Sequence, residues 1–306
     1  MCYTAQMEGA FVEFRHVHAS YDEPVLKDIS FSLDHGSQVV LFGSAASGKT
    51  TLLKLLSGAI VPETGSVLVN GKNAVRTSGS AAGYVSVYSN DLFHEIVFDM
   101  LSDFGLEEQI QNLPSRIGEI SEILGIQHIM KKNIQHISTT EKVKVYLAKA
   151  ALSEAPIILL DDVADVIGAG EMKALLSTIF FGRTVCISTR NVEIAESLDV
   201  PILLLHKLAL VCMGTKNEIA HATGAVRVVD AWVEGMRYDL LRKLRSHPGV
   251  LEVRLIPTNQ FDGTCVRITI RNSRYLPALY DALSQAPLAS IQELPIPLED
   301  ILNSLP

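Results

Sequence analysis

Gly43-Ser44-Ala45-Ala46-Ser47-Gly48-Lys49-Thr50 decides how the rest of this chain is read. The stretch fits G-x4-G-K-[ST]. Every residue before the lysine is Gly, Ala or Ser, so backbone N–H groups can wrap closely around an anion. Upstream, QVVLFG (38–43) is a short apolar run of strand type. Downstream, leucines recur at helical spacing until Gly58 supplies a stop. Strand, small-residue loop and helix N-terminus together make a cradle for a polyphosphate. In such a cradle Lys49 reaches the β- and γ-phosphates and Thr50 ligates Mg²⁺, with Thr51 in the same first turn. A chance match in a Gly/Ser-rich turn is the competing reading, and the strand and helix on either side weigh against it.

A loop of this kind needs a second strand carrying a carboxylate to hold Mg²⁺ through water. Ala155-Pro156-Ile157-Ile158-Leu159-Leu160-Asp161-Asp162 supplies one, an apolar run ending in two acids. RTVCISTR (183–190) and PILLL (201–205) repeat the buried-strand pattern. Strands of this type separated by helices predict a mostly parallel sheet covered on both faces. FVEFRHVHASY (11–21), DISFSLDHG (28–36) and SVLVNGK (66–72) are half-buried strands, the last entering an Asn-Gly turn, and form an antiparallel subdomain. Between about 88 and 145 apolar residues recur three or four apart, which predicts a helical subdomain. From about 224 the order changes to β-α-β-β-α-β, a ferredoxin-like arrangement. The expectation is an α/β P-loop NTPase over residues 1–223, followed by a small α+β domain over 224–306.

Composition bounds the function. The 306 residues carry 26 Lys+Arg against 34 Asp+Glu, a net charge of −8. That balance argues against a nucleic-acid or anionic-membrane surface. Mean hydropathy is +0.25, yet the greasiest stretch, Val200 to Met213, is broken by Pro201, His206 and Lys207. It reads as two buried strands around a turn, not as a membrane span. The opening MCYTAQMEGA has neither the basic nor the apolar region of a signal peptide. Cys2, Cys186, Cys212 and Cys265 lie far apart, as reduced cytosolic thiols do, and form no zinc or disulfide pattern. His16 and His18 alternate on a strand and belong to its surface or edge. Lys131-Lys132 is a solvated face, and Trp232, the sole Trp, has a packing role.

With these pieces in place, residues 11–222 resemble the nucleotide-binding subunit of ABC transporters. ASYDEPVLKDISFSL (19–33), ETGSVLVNGK (63–72) and GTKNEI (214–219) carry the likeness beyond the phosphate loop. The resemblance implies that Tyr21 stacks on adenine, although a tyrosine at an exposed turn also fits an ordinary surface role. It implies that Gly43, Ser44, Ala45, Ala46, Ser47, Gly48, Lys49, Thr50 and Thr51 bind ATP, and that Thr50 and Asp161 hold Mg²⁺. It further implies a second nucleotide-binding subunit, integral membrane permease subunits, and a place on the cytoplasmic face of the membrane. LRSHPGVLEVRL (244–255) and IPLEDILNSL (296–305) resemble the tail of ABC-2 type exporter ATPases.

The departures cluster at positions of turnover. The family signature near LSGGQ reads Ile137-Ser138-Thr139-Thr140-Glu141, with β-branched Thr140 where a Gly permits close backbone approach. The catalytic Glu is Asp162, one methylene shorter, followed by Val163 instead of Pro. The switch His is Arg190, which stays protonated; it either pairs with a γ-phosphate or faces solvent. The lid Gln aligns with Val87, or with Asn90 after a one-residue slip, and the SALD-like loop reads Asp165-Val166-Ile167-Gly168. In the phosphate loop Ala45 and Ala46 replace Asn/Ser and Gly but remain small. Binding residues kept and turnover residues altered predict an exporter ATPase with weak or partner-dependent hydrolysis. The alternative is an ATP-gated regulatory or scaffold subunit that does not hydrolyse. A DNA-repair or translation ATPase is disfavoured by the acidic charge and by the lack of a coiled-coil insertion.

Overall fold

The computed structural model describes residues 10–20, 23–74, 82–86, 96–153, 155–223, 227–234, 238–256, 264–284, 286–294 and 298–305. The chain divides into two compact units, one ending at Met213 and the other beginning at Gly214. The first contains β1 (Val12–Ser20), β2 (Pro24–Leu33), β3 (Gln38–Gly43), α1 (Lys49–Leu56), β4 (Thr64–Val69), β5 (Lys72–Asn73) and β6 (Ala82–Ser86). It continues through α2 (Val97–Glu107), α3 (Leu113–Ile123), α4 (Thr139–Leu152), β7 (Ile157–Asp161), α5 (Ala164–Ile167), α6 (Ala169–Ser177), β8 (Thr184–Thr189), α7 (Val192–Ser197), β9 (Ile202–His206) and β10 (Ala209–Gly214).

Six strands form one sheet in the order β10-β9-β3-β8-β7-β6. The pairs β3/β8, β3/β9, β7/β8 and β6/β7 are all parallel. β7 and β8 are buried at every position. That is why IILLD and TVCIST read as continuous runs rather than alternating ones: both sheet faces are covered. A second, antiparallel sheet runs β2-β1-β4-β5, its β4–β5 connection made by Asn70-Gly71. The two sheets share one core, in which Phe14, Phe31, Leu41, Leu159 and Leu203 meet. Phe14 and Phe31 stack with ring centroids 4.6 Å apart.

The alternation predicted for β1 does not hold throughout. A register shift falls between Phe14 and Val17, and His16 takes a positive φ of 47°. This bulge places Arg15 and His16 both outward. Glu13 is buried, and its carboxylate pairs with the Arg15 guanidinium. In the helical region, α2, α3 and α4 occupy the predicted span from Val97 on and α4 carries it to Leu152. Residues 87–95 lie outside the described residues.

The second unit holds α8 (Lys216–Ala222), β11 (Arg227–Val233), α9 (Tyr238–Ser246), β12 (Val250–Ile256), β13 (Thr264–Ile270), α10 (Leu276–Leu283), β14 (Leu288–Leu294) and α11 (Leu298–Ser304). Its sheet runs β12-β13-β11-β14 and every pair is antiparallel. With α9 and α10 as the intervening helices this is the β-α-β-β-α-β topology. Leu240 and Leu244 of α9 and Leu279 and Leu283 of α10 share a core with Val229, Ala231, Val266 and Ile268. Asp230, between two core-facing neighbours, points to the opposite face. There it accepts two bonds of 2.8 Å from the Arg267 guanidinium across the β11/β13 register.

Candidate functional site

β3 delivers the chain to Gly43 at the centre of the six-stranded sheet, and α1 begins six residues later at Lys49. The turn between them is sterically exacting. Gly48 sits at φ 97°, and a Cβ there would meet Leu26 Cδ2 at 2.4 Å and Val25 O at 2.8 Å. No L side chain fits that space or that backbone. Ala46 also takes a positive φ, 57°. Ala45, Ala46, Ser47, Gly48, Lys49, Thr50 and Thr51 line a cleft of about 560 Å³, closed on other sides by Val25, Leu208, Asp162 and Arg190. Gly43 is buried behind the loop, and exposed Ser44 accepts a bond from the Ser47 N–H.

Lys49 is the cation of this cleft. It is 6% exposed. Its Nζ donates to Gly43 O at 2.9 Å, Ser44 O at 2.8 Å and Ser47 Oγ at 3.3 Å. Burial pushes its pKa below the usual lysine value, and the Arg190 charge adds to this while Asp162 opposes it. Among the described residues no carboxylate stands in salt-bridge contact with it. A buried ammonium held only by neutral oxygens, at the foot of a small-residue loop and a helix N-terminus, is arranged to meet an anion from outside.

The acidic side comes from the ends of β7 and β8. Asp161 is 1% exposed and its carboxylate is densely bonded. Oδ1 accepts from Ser188 Oγ at 2.6 Å and from Thr50 Oγ1 at 3.2 Å; Oδ2 accepts from Tyr84 OH at 2.9 Å. Burial, with the Asp161 carboxylate as the next cause, raises the Tyr84 phenol above its ordinary value and keeps it a donor. Asp162 follows at φ 55°. Burial raises its pKa, and the neighbouring Asp161 and Asp165 charges raise it further; Ser188 and Arg190 act the other way. Asp165 in turn accepts a 2.5 Å bond from Thr189 Oγ1.

Such a set fits a nucleotide with Mg²⁺. Mg²⁺ takes one or two protein oxygens plus phosphates and water, not a full protein cage. Among the described residues no three or more His, Cys, Asp or Glu side chains converge as such a cage. Thr50 and Asp161, already side by side, are the pair that would hold the ion, and Lys49 the group that would hold the phosphates. Asp162 lines the same cleft as Lys49 and Arg190, with Asp161 buried next to it and bonded to Thr50.

Arg190 is exposed yet lines the cleft, and its charge acts on both Lys49 and Asp162. The signature residues Ser138, Thr139 and Thr140 are exposed at the start of α4. Ser138 is the N-cap of a capping box: its Oγ accepts from the Glu141 N–H at 3.3 Å, while Glu141 Oε2 accepts from the Ser138 N–H at 2.8 Å. Glu141 also bonds His128 Nε2 at 3.0 Å. The bonds from Ser138 hold its pKa down at about 2. Tyr21 and Asn90 lie outside the described residues, as does Val87. Sequence reasoning passed over Ser188 and Tyr84. The signal for Ser188 was present: a hydroxyl in a strand read as buried needs a buried partner.

A mostly parallel sheet with a glycine-alanine-serine phosphate loop after its central strand, an acid-tipped neighbour strand, a group of helices and an antiparallel sheet make up the fold of ABC-type P-loop NTPases. Residues 26–165 match the family described as ABC transporter. The chain is 28% identical over 270 residues to the molybdate/tungstate import ATP-binding protein WtpC of Thermococcus kodakarensis, covering 81% of this chain and 76% of that protein. It is 28% identical over 214 residues to the energy-coupling factor transporter ATP-binding protein EcfA2 of Methanospirillum hungatei, covering 65% of this chain but 53% of that one. The chain thus spans between about half and three quarters of these relatives. Among solved structures, cbiO1 from Clostridium perfringens, part of the ABC transporter complex cbiONQ, superposes with a TM-score of 0.59 at 20% identity, over 69% of this chain and 91% of that one. That likeness is one of fold. Among the described residues no helix is long and apolar enough to cross a membrane.

Proposed function

We propose that this chain is the ATP-binding subunit of an ABC membrane transporter, in which bound ATP and Mg²⁺ close a dimer of nucleotide-binding subunits and hydrolysis is slow or partner-dependent. The observation that carries the reading is Lys49: a buried cation with no carboxylate partner among the described residues, beside the Thr50–Asp161 pair. When bound, Mg²⁺ neutralises phosphate charge and orients the γ-phosphate. Lys49 and the loop N–H groups bind the phosphates, and Thr50 and Asp161 hold the metal. Asp162 is the group available to orient water, and Arg190 offers a fixed positive charge at the same wall.

Slow turnover follows from reach. Asp162 is a methylene shorter than Glu, and its carboxylate leans on Ser188 at 3.2 Å. Misplacement by about 1 Å costs on the order of 100-fold in rate. The same observation favours a second reading, an ATP-gated regulatory or scaffold subunit without hydrolysis. Membrane permease subunits and a second nucleotide-binding subunit are the proposed partners, with the chain on the cytoplasmic face. Export rests on the resemblance of 244–255 and 296–305 to exporter tails alone, whereas WtpC is named for import. The proposal therefore stands on ATP-driven closure, with export as its directional corollary, checked by which way cargo moves in vesicles containing the permease.

Mg-ATP binding and turnover by the purified chain test the reading, with Lys49→Ala as blank and Asp162→Glu alongside. The parent is expected to bind ATP at least tenfold more tightly than the blank, an order-of-magnitude expectation for losing a charged phosphate contact. Asp162→Glu is expected to hydrolyse faster than the parent, by roughly 10–100-fold. Equal ATP binding by parent and Lys49→Ala would sink the proposal. Binding without turnover in either the parent or Asp162→Glu selects the scaffold reading.

A further inference from the structure

We propose that Ser188 is a positioning residue that holds the metal-side carboxylate Asp161 and the water-side carboxylate Asp162 in fixed relation. The inference rests on the ATPase reading above and adds a residue to it. Ser188 is fully buried, at 0% exposure, in a strand buried at every position. The parallel register pairs Leu160 with Ile187, so the next residues along, Asp161 and Ser188, stand level at the strand ends. A hydroxyl has one proton and two lone pairs. At Ser188 the proton and one lone pair are engaged. The proton goes to Asp161 Oδ1 at 2.6 Å, the short distance of a bond to a charged acceptor. A lone pair takes the Asp162 N–H at 2.9 Å. Asp162 Oδ1 lies 3.2 Å from the same Oγ, a longer contact that competes with Asp161 for the one proton.

Two consequences follow. Asp162 sits at φ 55°, a region unfavourable for any residue with a Cβ, and its N–H is anchored by Ser188. That anchor sets where the Asp162 side chain starts. Asp161 has two other donors, Thr50 and Tyr84, so without Ser188 its carboxylate stays bonded but loses the shortest of its three bonds. The expected loss is therefore in geometry toward metal and water, not in nucleotide affinity.

The test compares the full-length parent with Ser188→Ala and with Ser188→Thr, which keeps a hydroxyl. Mn²⁺ binding in the presence of ATP is read by electron paramagnetic resonance, together with kcat and KM for ATP. Ser188→Ala is expected to weaken Mn²⁺ about tenfold and to lower kcat by a similar factor, the usual scale for an outer-shell partner, with KM for ATP within about twofold. Ser188→Thr is expected to recover most of both. A purely structural role would lower the melting temperature without splitting kcat from KM. Amide exchange at Asp162 in the nucleotide-free protein gives a reading independent of ATP: protection falls about tenfold in Ser188→Ala and returns in Ser188→Thr. If Ser188→Ala does not fold, near-isosteric Ser188→Cys replaces it with the same expected losses. A folded variant lacking the hydroxyl with parental Asp162 exchange and parental Mn²⁺ binding overturns the proposal. Absence of ATP binding by the parent would overturn the ATPase reading instead, and Asp162 exchange would then decide the anchor by itself.

Discussion

Ala46 pays a conformational cost where the resembling family has glycine. Its φ of 57° puts a Cβ in the left-handed region, which disfavours a non-glycine residue by about 1 kcal/mol. It is exposed, so no packing offsets this. Ala46→Gly is expected to stabilise the chain by roughly 0.5–1 kcal/mol in urea unfolding, with ATP binding retained. Asp162 is costly in another way. Burial and the Asp161 and Asp165 charges all oppose its ionisation. Asp162→Asn is therefore expected to raise the melting temperature at neutral pH by roughly 1–3 °C while reducing turnover. A fall in melting temperature would show that the Asp162 charge is compensated by Arg190 more fully than its surroundings indicate.

At the scale of elements, α4 shows how one helix start does two jobs. Ser138 and Glu141 satisfy each other's backbone N–H groups, which fixes where the helix begins. Removing the cap in Ser138→Ala is expected to cost about 1 kcal/mol by chemical denaturation. The bonds from Ser138 depress the Glu141 pKa to about 2. A depressed carboxylate contributes stability that is present above its unfolded pKa and is lost as pH falls through its folded pKa. The capping contribution of Glu141 should thus hold at neutral pH and fade between about pH 4 and pH 2. Glu141→Gln should remove that part of the acid sensitivity, read as the difference between the two proteins' melting temperatures across that range. The same capped terminus presents Ser138, Thr139 and Thr140 outward, where a second subunit would reach them.

At the scale of the molecule, the two units have separate cores, and the single tryptophan, Trp232, lies in the second. Its fluorescence therefore reports on that unit. Leu279 is fully buried in that core, so Leu279→Ala is expected to destabilise the second unit by about 2–5 kcal/mol, seen as an earlier Trp232 transition. The cleft residues all precede Gly214. Saturating Mg-ATP, at about 100 times its dissociation constant, should stabilise the first unit by roughly 2.7 kcal/mol. That shift should appear in circular dichroism and leave the Trp232 transition in place. A matching shift in Trp232 fluorescence would mean that nucleotide binding reaches the second unit.

Much of this protein was legible in one dimension because its key chemistry is local. A phosphate loop needs small residues, a lysine and a helix start in direct succession, and residues 43–50 carry all of them in order. Strands buried on both faces favour continuous apolar runs, and residues 157–160 of β7 are one. Other features depend on distant residues meeting. The bulge at His16 was hidden because alternation in the sequence carries no record of where an extra residue leaves the ladder. Ser188 and Tyr84 became site residues only through the parallel register that brings β6, β7 and β8 side by side. The pairing of Asp230 with Arg267 needed β11 and β13 to align. Sequence by itself determined the nucleotide cradle and the class of sheet, since contiguous backbone and periodicity dictate both. Only the tertiary structure decided which hydroxyls hold the Asp161 and Asp162 carboxylates, because hydrogen bonds between strands follow from register, and register is settled by packing the whole core at once.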